Sequence, residues 1–114
     1  MKEIATTSTA LIGPIAGYIA AANAQDIEAV TETFIHDAIV RDEGQIRNGV
    51  AAIRQWAMEV SKKYRPIVEA LDVAQTGGKT ILTVRVSGNF PGSPIDLRYV
   101  FTLAGEKIAR LEIS

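Results

Sequence analysis

Asp42, Tyr18 and Tyr99 are the side chains whose types and surroundings suit chemistry in this chain. Asp42 closes the apolar run Ala38-Ile39-Val40, Tyr18 lies in the apolar segment from Ala10 to Ala22, and Tyr99 stands between Leu97 and Phe101 at the spacing of one strand face. A lone carboxylate in an apolar cavity is poorly solvated, which raises its pKa and makes the ionised form a stronger base. A phenol aimed at the same space donates a hydrogen bond while staying neutral, and so can stabilise an enolate oxygen as charge develops. Such groups together suit proton abstraction next to a carbonyl, in an isomerisation, a dehydration or an aldol-type cyclisation, without a cofactor. Each residue has a structural reading as well. An aspartate before Glu43-Gly44 commonly bonds its own backbone in a turn, Tyr18 suits a core edge with its hydroxyl at the boundary, and Tyr99 suits a plain strand aromatic.

Few other residues compete for a chemical role. His36 is the only histidine, near an expected helix end where a charged imidazole suits the dipole. One histidine and no cysteine do not build a first-row metal site, and Asp42-Glu43 lacks the loop spacing for calcium, so no metal is expected. The chain has no Gly-x-Ser-x-Gly, no P-loop and no dinucleotide fingerprint. Its net charge of -1, with Lys62, Lys63 and Arg65 as the one basic cluster, argues against nucleic acid. No apolar run reaches a membrane span. Ala22-Asn23-Ala24 after an apolar run resembles a secretory cleavage site, but Glu3 offsets Lys2 and Pro14 and Gly17 interrupt the run, so the cytoplasm is the expected compartment.

The elements that must position these residues follow from periodicity. With 114 residues, 47% of them hydrophobic, the chain suits one domain over 1–114 with a real core. Ser8 or Thr9 caps a first helix running to about Asn23, with Ile12, Ile15, Ile19 and Ala22 on one stripe. Asp26 is the N-cap of a second helix that buries Ile27, Val30 and Phe34. Ala38 to Asp42 is a strand, and Gln45 to Arg47 a brief return strand. Asn48-Gly49 starts a third helix with Val50, Ile53, Trp56, Ala57 and Val60 on one face, ended by Pro66. The period then changes to two: strands over Ile67–Thr76, Thr80–Phe90, Ile95–Leu103 and Lys107–Ile113, joined by turns at Gly77-Gly78, Pro91 to Pro94 and Ala104 to Glu106. Leu82, Val84 and Val86 face one way, as do Leu97, Tyr99, Phe101 and Leu103. Thr83, Arg85, Ser87, Asp96, Arg98 and Thr102 face the other, where charges can pair across strands. Helices first and antiparallel hairpins after give an α+β class: three N-terminal helices on a strongly curved, mainly antiparallel sheet. Strand period and helix stripes aim Tyr18, Asp42, Tyr99, Val40, Trp56, Leu82, Val84, Phe90, Leu97 and Phe101 into an interior pocket.

Gly17-Tyr18-Ile19 with Asp26-Ile27-Glu28-Ala29 resembles the first two helices of bacterial ketosteroid isomerases. Asp37-Ala38-Ile39-Val40-Arg41-Asp42 resembles their first strand, and Gly49 to Trp56 resembles the Gly-x-x-x-Ile-x-x-aromatic pattern of their third helix. The resemblance spans nearly the whole chain and is identified with the nuclear transport factor 2-like superfamily, SnoaL-like branch. It implies a cone-shaped α+β fold of the cystatin-like kind and carries three roles over. Tyr18 falls on the helix-one tyrosine that donates to the developing oxyanion, Asp42 on the general base, and Tyr99 on the second oxyanion donor, a protonated acid in the isomerases. The tyrosines that support the helix-one phenol there become Phe34 and Ala57, and the Asp-Pro pair becomes Asp42-Glu43.

Three functions follow. The first is a cofactor-independent isomerase, lyase or cyclase acting on a small apolar or carbonyl-containing molecule. The second is a module that holds such a molecule unchanged. The third is a dimerisation domain whose pocket is filled by its own aromatic side chains. All three fit a homodimer through the open sheet face.

Overall fold

The computed structural model describes residue 11 and residues 13–114. The expected helix cap at Ser8 or Thr9, and Ile12 of the first stripe, lie outside the described residues. The first helix, α1 (Gly13–Asn23), carries Pro14 in its opening turn, where the missing N–H costs nothing, and buries Ile15, Tyr18, Ile19 and Ala21. The second, α2 (Ile27–Glu32), is capped as the sequence suggests: the Asp26 carboxylate accepts from the Ala29 N–H at 3.1 Å. It ends earlier than its apolar spacing implies. Phe34 does not continue the helical stripe but opens the first strand, β1 (Phe34–Asp42), while staying buried. Thr33-Phe34-Ile35 is a β-branched and aromatic run that favours extended backbone, and the spacing from Val30 to Phe34 points inward under either period.

Strand β1 pairs antiparallel with β2 (Gln45–Asn48) across the two-residue turn Glu43-Gly44, where φ values of 54° and 75° are those of a type I′ hairpin. Helix α3 (Gly49–Tyr64) follows Asn48, buries Ile53, Trp56 and Ala57, and carries Lys62 and Lys63 in its last turn, where cations suit the dipole. Arg65 caps it in the left-handed region, its N–H donating to the Ser61 carbonyl at 3.0 Å. Strands β3 (Ile67–Thr76), β4 (Lys79–Ser87), β5 (Ile95–Ala104) and β6 (Lys107–Ile113) form a meander. The six-stranded sheet has the order β2-β1-β6-β5-β4-β3, so the last strand returns beside the first as its single parallel pair. This is the α+β architecture expected from the sequence, with the helices on the concave face of a curved sheet.

The inward faces of the strands alternate as expected. Leu82, Val84, Val86, Tyr99 and Phe101 are buried, and outward Arg85 meets Asp96 at 2.9 Å from the adjacent strand. Two departures are local. A bulge between Thr102 and Leu103 interrupts the alternation and leaves Leu103 exposed. Strand β4 stops at Ser87, so Phe90 belongs to the loop before β5 rather than to the strand. That loop is held against the end of α3: the Asn89 N–H donates to the Tyr64 carbonyl at 2.7 Å, and the Gly88 N–H to the Ser93 hydroxyl at 2.9 Å. Glycine is required at position 88, because a Cβ there would lie 2.6 Å from the Tyr64 carbonyl oxygen.

Candidate functional site

Between the concave face of the sheet and helices α1 and α3 lies a cavity of about 300 Å³. The third functional expectation, a pocket filled by aromatic side chains, does not describe this interior. Asp42 reaches the cavity because it shares the inward phase of β1 with Ala38 and Val40. The Trp56 indole N–H, presented from the middle of α3, donates to a carboxylate oxygen of Asp42 at 3.0 Å. Partial burial pushes the Asp42 pKa above the usual carboxylate range, reinforced by the neighbouring Glu43 charge. The Trp56 hydrogen bond, a backbone bond at Glu43 and the Arg47 charge oppose that rise. Asp42 is therefore a carboxylate with weakened solvation, held by the Trp56 indole and a backbone bond at Glu43.

Tyr18 and Tyr99 line the same cavity. Their ring centroids are 6.5 Å apart in an edge-to-face arrangement, and both rest on Phe101, at 5.8 Å and 6.3 Å. Burial raises both phenol pKa values, Tyr18 most, and the Asp42 charge adds to each. Both phenols thus remain protonated across any ordinary pH and act as hydrogen-bond donors rather than bases or nucleophiles. Phe34, at one of the positions where the isomerases carry supporting tyrosines, packs edge-on against Tyr18 at 5.8 Å. Ala57, at the other, leaves its share of the wall as open volume.

Of the residues expected to line the pocket, Trp56, Phe90 and Leu97 do so together with the three polar groups. Val40, Leu82, Val84 and Phe101 do not. They are wholly buried beneath the cavity floor, because the inward face of each strand runs deeper than the open space does. Val68, Val86, Ile95 and Ile113 form the apolar wall in their place. Val86 and Ile113 were reachable by extending the strand alternation. Four polar residues of the rim, Gln25, Glu43, Ser61 and Tyr64, were not singled out by the sequence. The Tyr64 hydroxyl donates to Glu43 at 3.0 Å and its ring meets Phe90 edge-on at 5.9 Å, which ties the end of α3 to both the β1–β2 turn and the β4–β5 loop. His36 is exposed on β1. Among the described residues no three acids or histidines converge as metal ligands would, and no helix is long and apolar enough to cross a membrane.

The family model for the SnoaL-like domain matches residues 15–111. This chain belongs to the SnoaL-like family. Comparison with solved structures agrees. A candidate polyketide cyclase from Sinorhizobium meliloti is 40% identical over 91% of this SnoaL-like chain and 95% of its own, with a TM-score of 0.87. A protein with a ketosteroid isomerase-like fold from Catenulispora acidiphila, solved with trimethylamine, is 17% identical over 89% of this chain and 83% of its own, TM-score 0.77. SalBIII, an epoxide hydrolase/cyclase-like enzyme in pyran ring formation in polyether salinomycin, is 22% identical over 88% of this chain and 85% of its own, also with a TM-score of 0.77. The latter two share the fold with the SnoaL-like chain. No curated protein matches its sequence. The nuclear transport factor 2-like superfamily inferred from Tyr18 to Asp42 and from Gly49 to Trp56 is thereby established.

Proposed function

We infer that the cavity binds a small carbonyl compound and that Asp42 removes a proton next to the carbonyl, as in an isomerisation, a dehydration or a ring closure. The observation that carries this reading is the convergence on one largely apolar cavity of a single desolvated carboxylate and two neutral phenols. The ionised Asp42 accepts the proton with the oxygen left free of the Trp56 bond. Tyr18 and Tyr99 then donate to the oxygen on which negative charge accumulates, an arrangement that costs no reorganisation because the rings are already packed. Ketosteroid isomerase combines an ionised carboxylate base with neutral donors in one apolar site in the same way; here Tyr99 supplies as a phenol the neutral hydrogen bond that a protonated acid supplies there. The relative from Sinorhizobium meliloti, described as a candidate cyclase, supports the same class of chemistry.

Exchange of α-protons into D2O tests this without knowledge of the natural substrate. 2-Tetralone and small cyclic enones, followed by proton NMR, are expected to exchange faster with the protein than with buffer alone. Asp42→Asn is expected to lose that acceleration by about 100-fold or more, the usual scale of a general base, while binding the same ketones within about twofold. A second reading, a module that holds its ligand unchanged, draws on the Trp56 bond that occupies one Asp42 oxygen. It requires ketone binding with no exchange above buffer in the wild type. The outward face of the sheet is the surface we assign to a second copy of the chain.

A further inference from the structure

Among the described residues, three non-glycine residues have backbone in the left-handed region: Gln25 at φ 59°, Glu43 at 54° and Arg65 at 45°. Arg65 is an ordinary helix cap, but Gln25 and Glu43 both line the cavity. Gln25 stands just past the end of α1. There the Asp26 N–H donates to the Ala21 carbonyl and the Gln25 N–H to the Ala22 carbonyl, each at 3.0 Å, which is the hydrogen-bond pattern of a Schellman cap. Glycine is the residue this position favours, since it alone adopts such a φ without steric cost. The chain instead carries a long amide side chain there and turns it toward the cavity.

The amide is oriented by two contacts. Its Nε2 donates to the Pro66 carbonyl at 3.0 Å, and its Oε1 accepts from the Ser61 hydroxyl. The Pro66 oxygen can only accept, so the NH2 end must face it. A glutamine amide offers two N–H donors and two oxygen lone pairs. The two contacts use one of each, leaving one donor and one acceptor on a half-buried residue in the cavity wall. On α3, Ser61 lies five residues beyond Trp56, about 7.5 Å further along the helix axis. Besides the Glu43–Tyr64 pair at the rim, the cavity therefore has two polar groups of residues, Asp42 with Tyr18 and Tyr99, and the Gln25–Ser61 pair, set in otherwise apolar walls.

We propose that Gln25, oriented by Ser61 and Pro66, is a binding residue for a second oxygen function on the ligand, so that the substrate class is a small cyclic ketone carrying a hydroxyl or carbonyl at the end opposite its reacting carbonyl. This rests on the cavity being the ligand site, as argued above, but not on Asp42 acting as a base.

The test compares two rigid probes, 2-tetralone and 6-hydroxy-2-tetralone, whose oxygens in the second case stand at opposite ends of the bicycle. Calorimetric titration is expected to show the hydroxylated ketone binding the wild-type protein about tenfold more tightly, the scale of one well-made hydrogen bond. Gln25→Leu, which keeps apolar volume, is expected to bring the two affinities within about twofold while leaving 2-tetralone binding unchanged. Gln25→Gly should do the same with the backbone relieved, and Ser61→Ala should lower the preference in part by freeing the amide. Equal affinities for the two probes in the wild type would overturn the proposal, whatever the variants do, as would a preference that survives in both Gln25 variants. Exchange of α-protons separates this from the inferred chemistry. Exchange without hydroxyl preference sinks the binding role of Gln25 alone, and hydroxyl preference without exchange upholds it while removing the catalytic role of Asp42.

Discussion

Asp42 is subject to opposed influences, of which the foremost on each side are burial, which destabilises its charge, and the Trp56 N–H, which stabilises it. Because the folded-state pKa lies above the ordinary aspartate value, folding favours the protonated form. That contribution to stability is fully present below the unfolded pKa and is lost as pH rises through the folded one. Asp42→Asn removes a desolvated charge while keeping an acceptor for Trp56, so its Tm at pH 7 is expected to exceed that of the wild type by a few degrees, with the gap closing as pH falls through the elevated folded pKa and gone below the ordinary aspartate value of about 4. Exchange of α-protons runs the other way: the ionised form is the base, so the rate rises with pH through the elevated pKa. The phenols stay neutral and produce no matching fall at moderately alkaline pH. Trp56→Phe removes the one side chain among the described residues that hydrogen-bonds the carboxylate. Its pH–rate midpoint is expected to move upward, with the rate on the alkaline plateau largely kept, at a stability cost of about 1–2 kcal/mol for the reduced packing and lost bond. An unmoved midpoint would mean that the indole does not tune the base.

The elements are held to one another by side chains at their ends. Asn23, the last residue of α1, donates to the Val68 carbonyl at 3.0 Å and accepts from the Val68 N–H at 2.7 Å, so one amide pairs with the edge strand β3 as a neighbouring strand would. Asn23→Ala is expected to cost about 1–3 kcal/mol by stranding both backbone groups of buried Val68, read as a lower Tm and as loss of hydrogen-exchange protection at the Val68 amide ahead of its strand neighbours. Retained protection would refute the clamp. Most of this layer was legible in the sequence. Asp26 announced its helix, Pro66 the end of α3, and Gly77-Gly78 its hairpin, because each acts within a few residues of itself. What stayed hidden depends on distant partners. Phe34 satisfies helical and strand spacing alike, and only pairing with β6 decides between them. Phe90 leaves the strand because the Asn89 N–H donates to the Tyr64 carbonyl, a contact across 25 residues of chain that only a glycine at position 88 allows. The same limit explains Asn23 and Gln25, whose partners lie 45 and 41 residues away.

For the whole molecule, the curved sheet has, among the described residues, one face occupied by helices and cavity and one face without either. Alternation identified which side chains point inward, but not the depth at which packing stops. Val40, Leu82, Val84 and Phe101 share the inward phase with Val86 and Leu97, yet only the latter two meet open space. The opposite face was equally visible in the alternation, and its neighbours are fixed by register: Arg85 beside Asp96, Thr83 beside Arg98, Ile81 beside Val100, and Val100 beside Glu112. Ile81 and Val100 thus make a small apolar centre flanked by the Arg85–Asp96 and Arg110–Glu112 ion pairs. A patch of this composition can meet a copy of itself about a two-fold axis, with apolar centre on apolar centre and each charge near its opposite. Light scattering coupled to size exclusion is expected to give twice the chain mass at micromolar concentration. Val100→Lys is the informative variant. Within one chain the new ammonium stands opposite Glu112 and is tolerated, whereas across a two-fold axis it buries two like charges in the centre of the contact. The variant should run as a monomer with an unchanged Tm onset at high dilution and the same affinity for 2-tetralone. A wild-type protein that is monomeric at micromolar concentration, or a Val100→Lys variant that remains dimeric, would place self-association elsewhere than on this face.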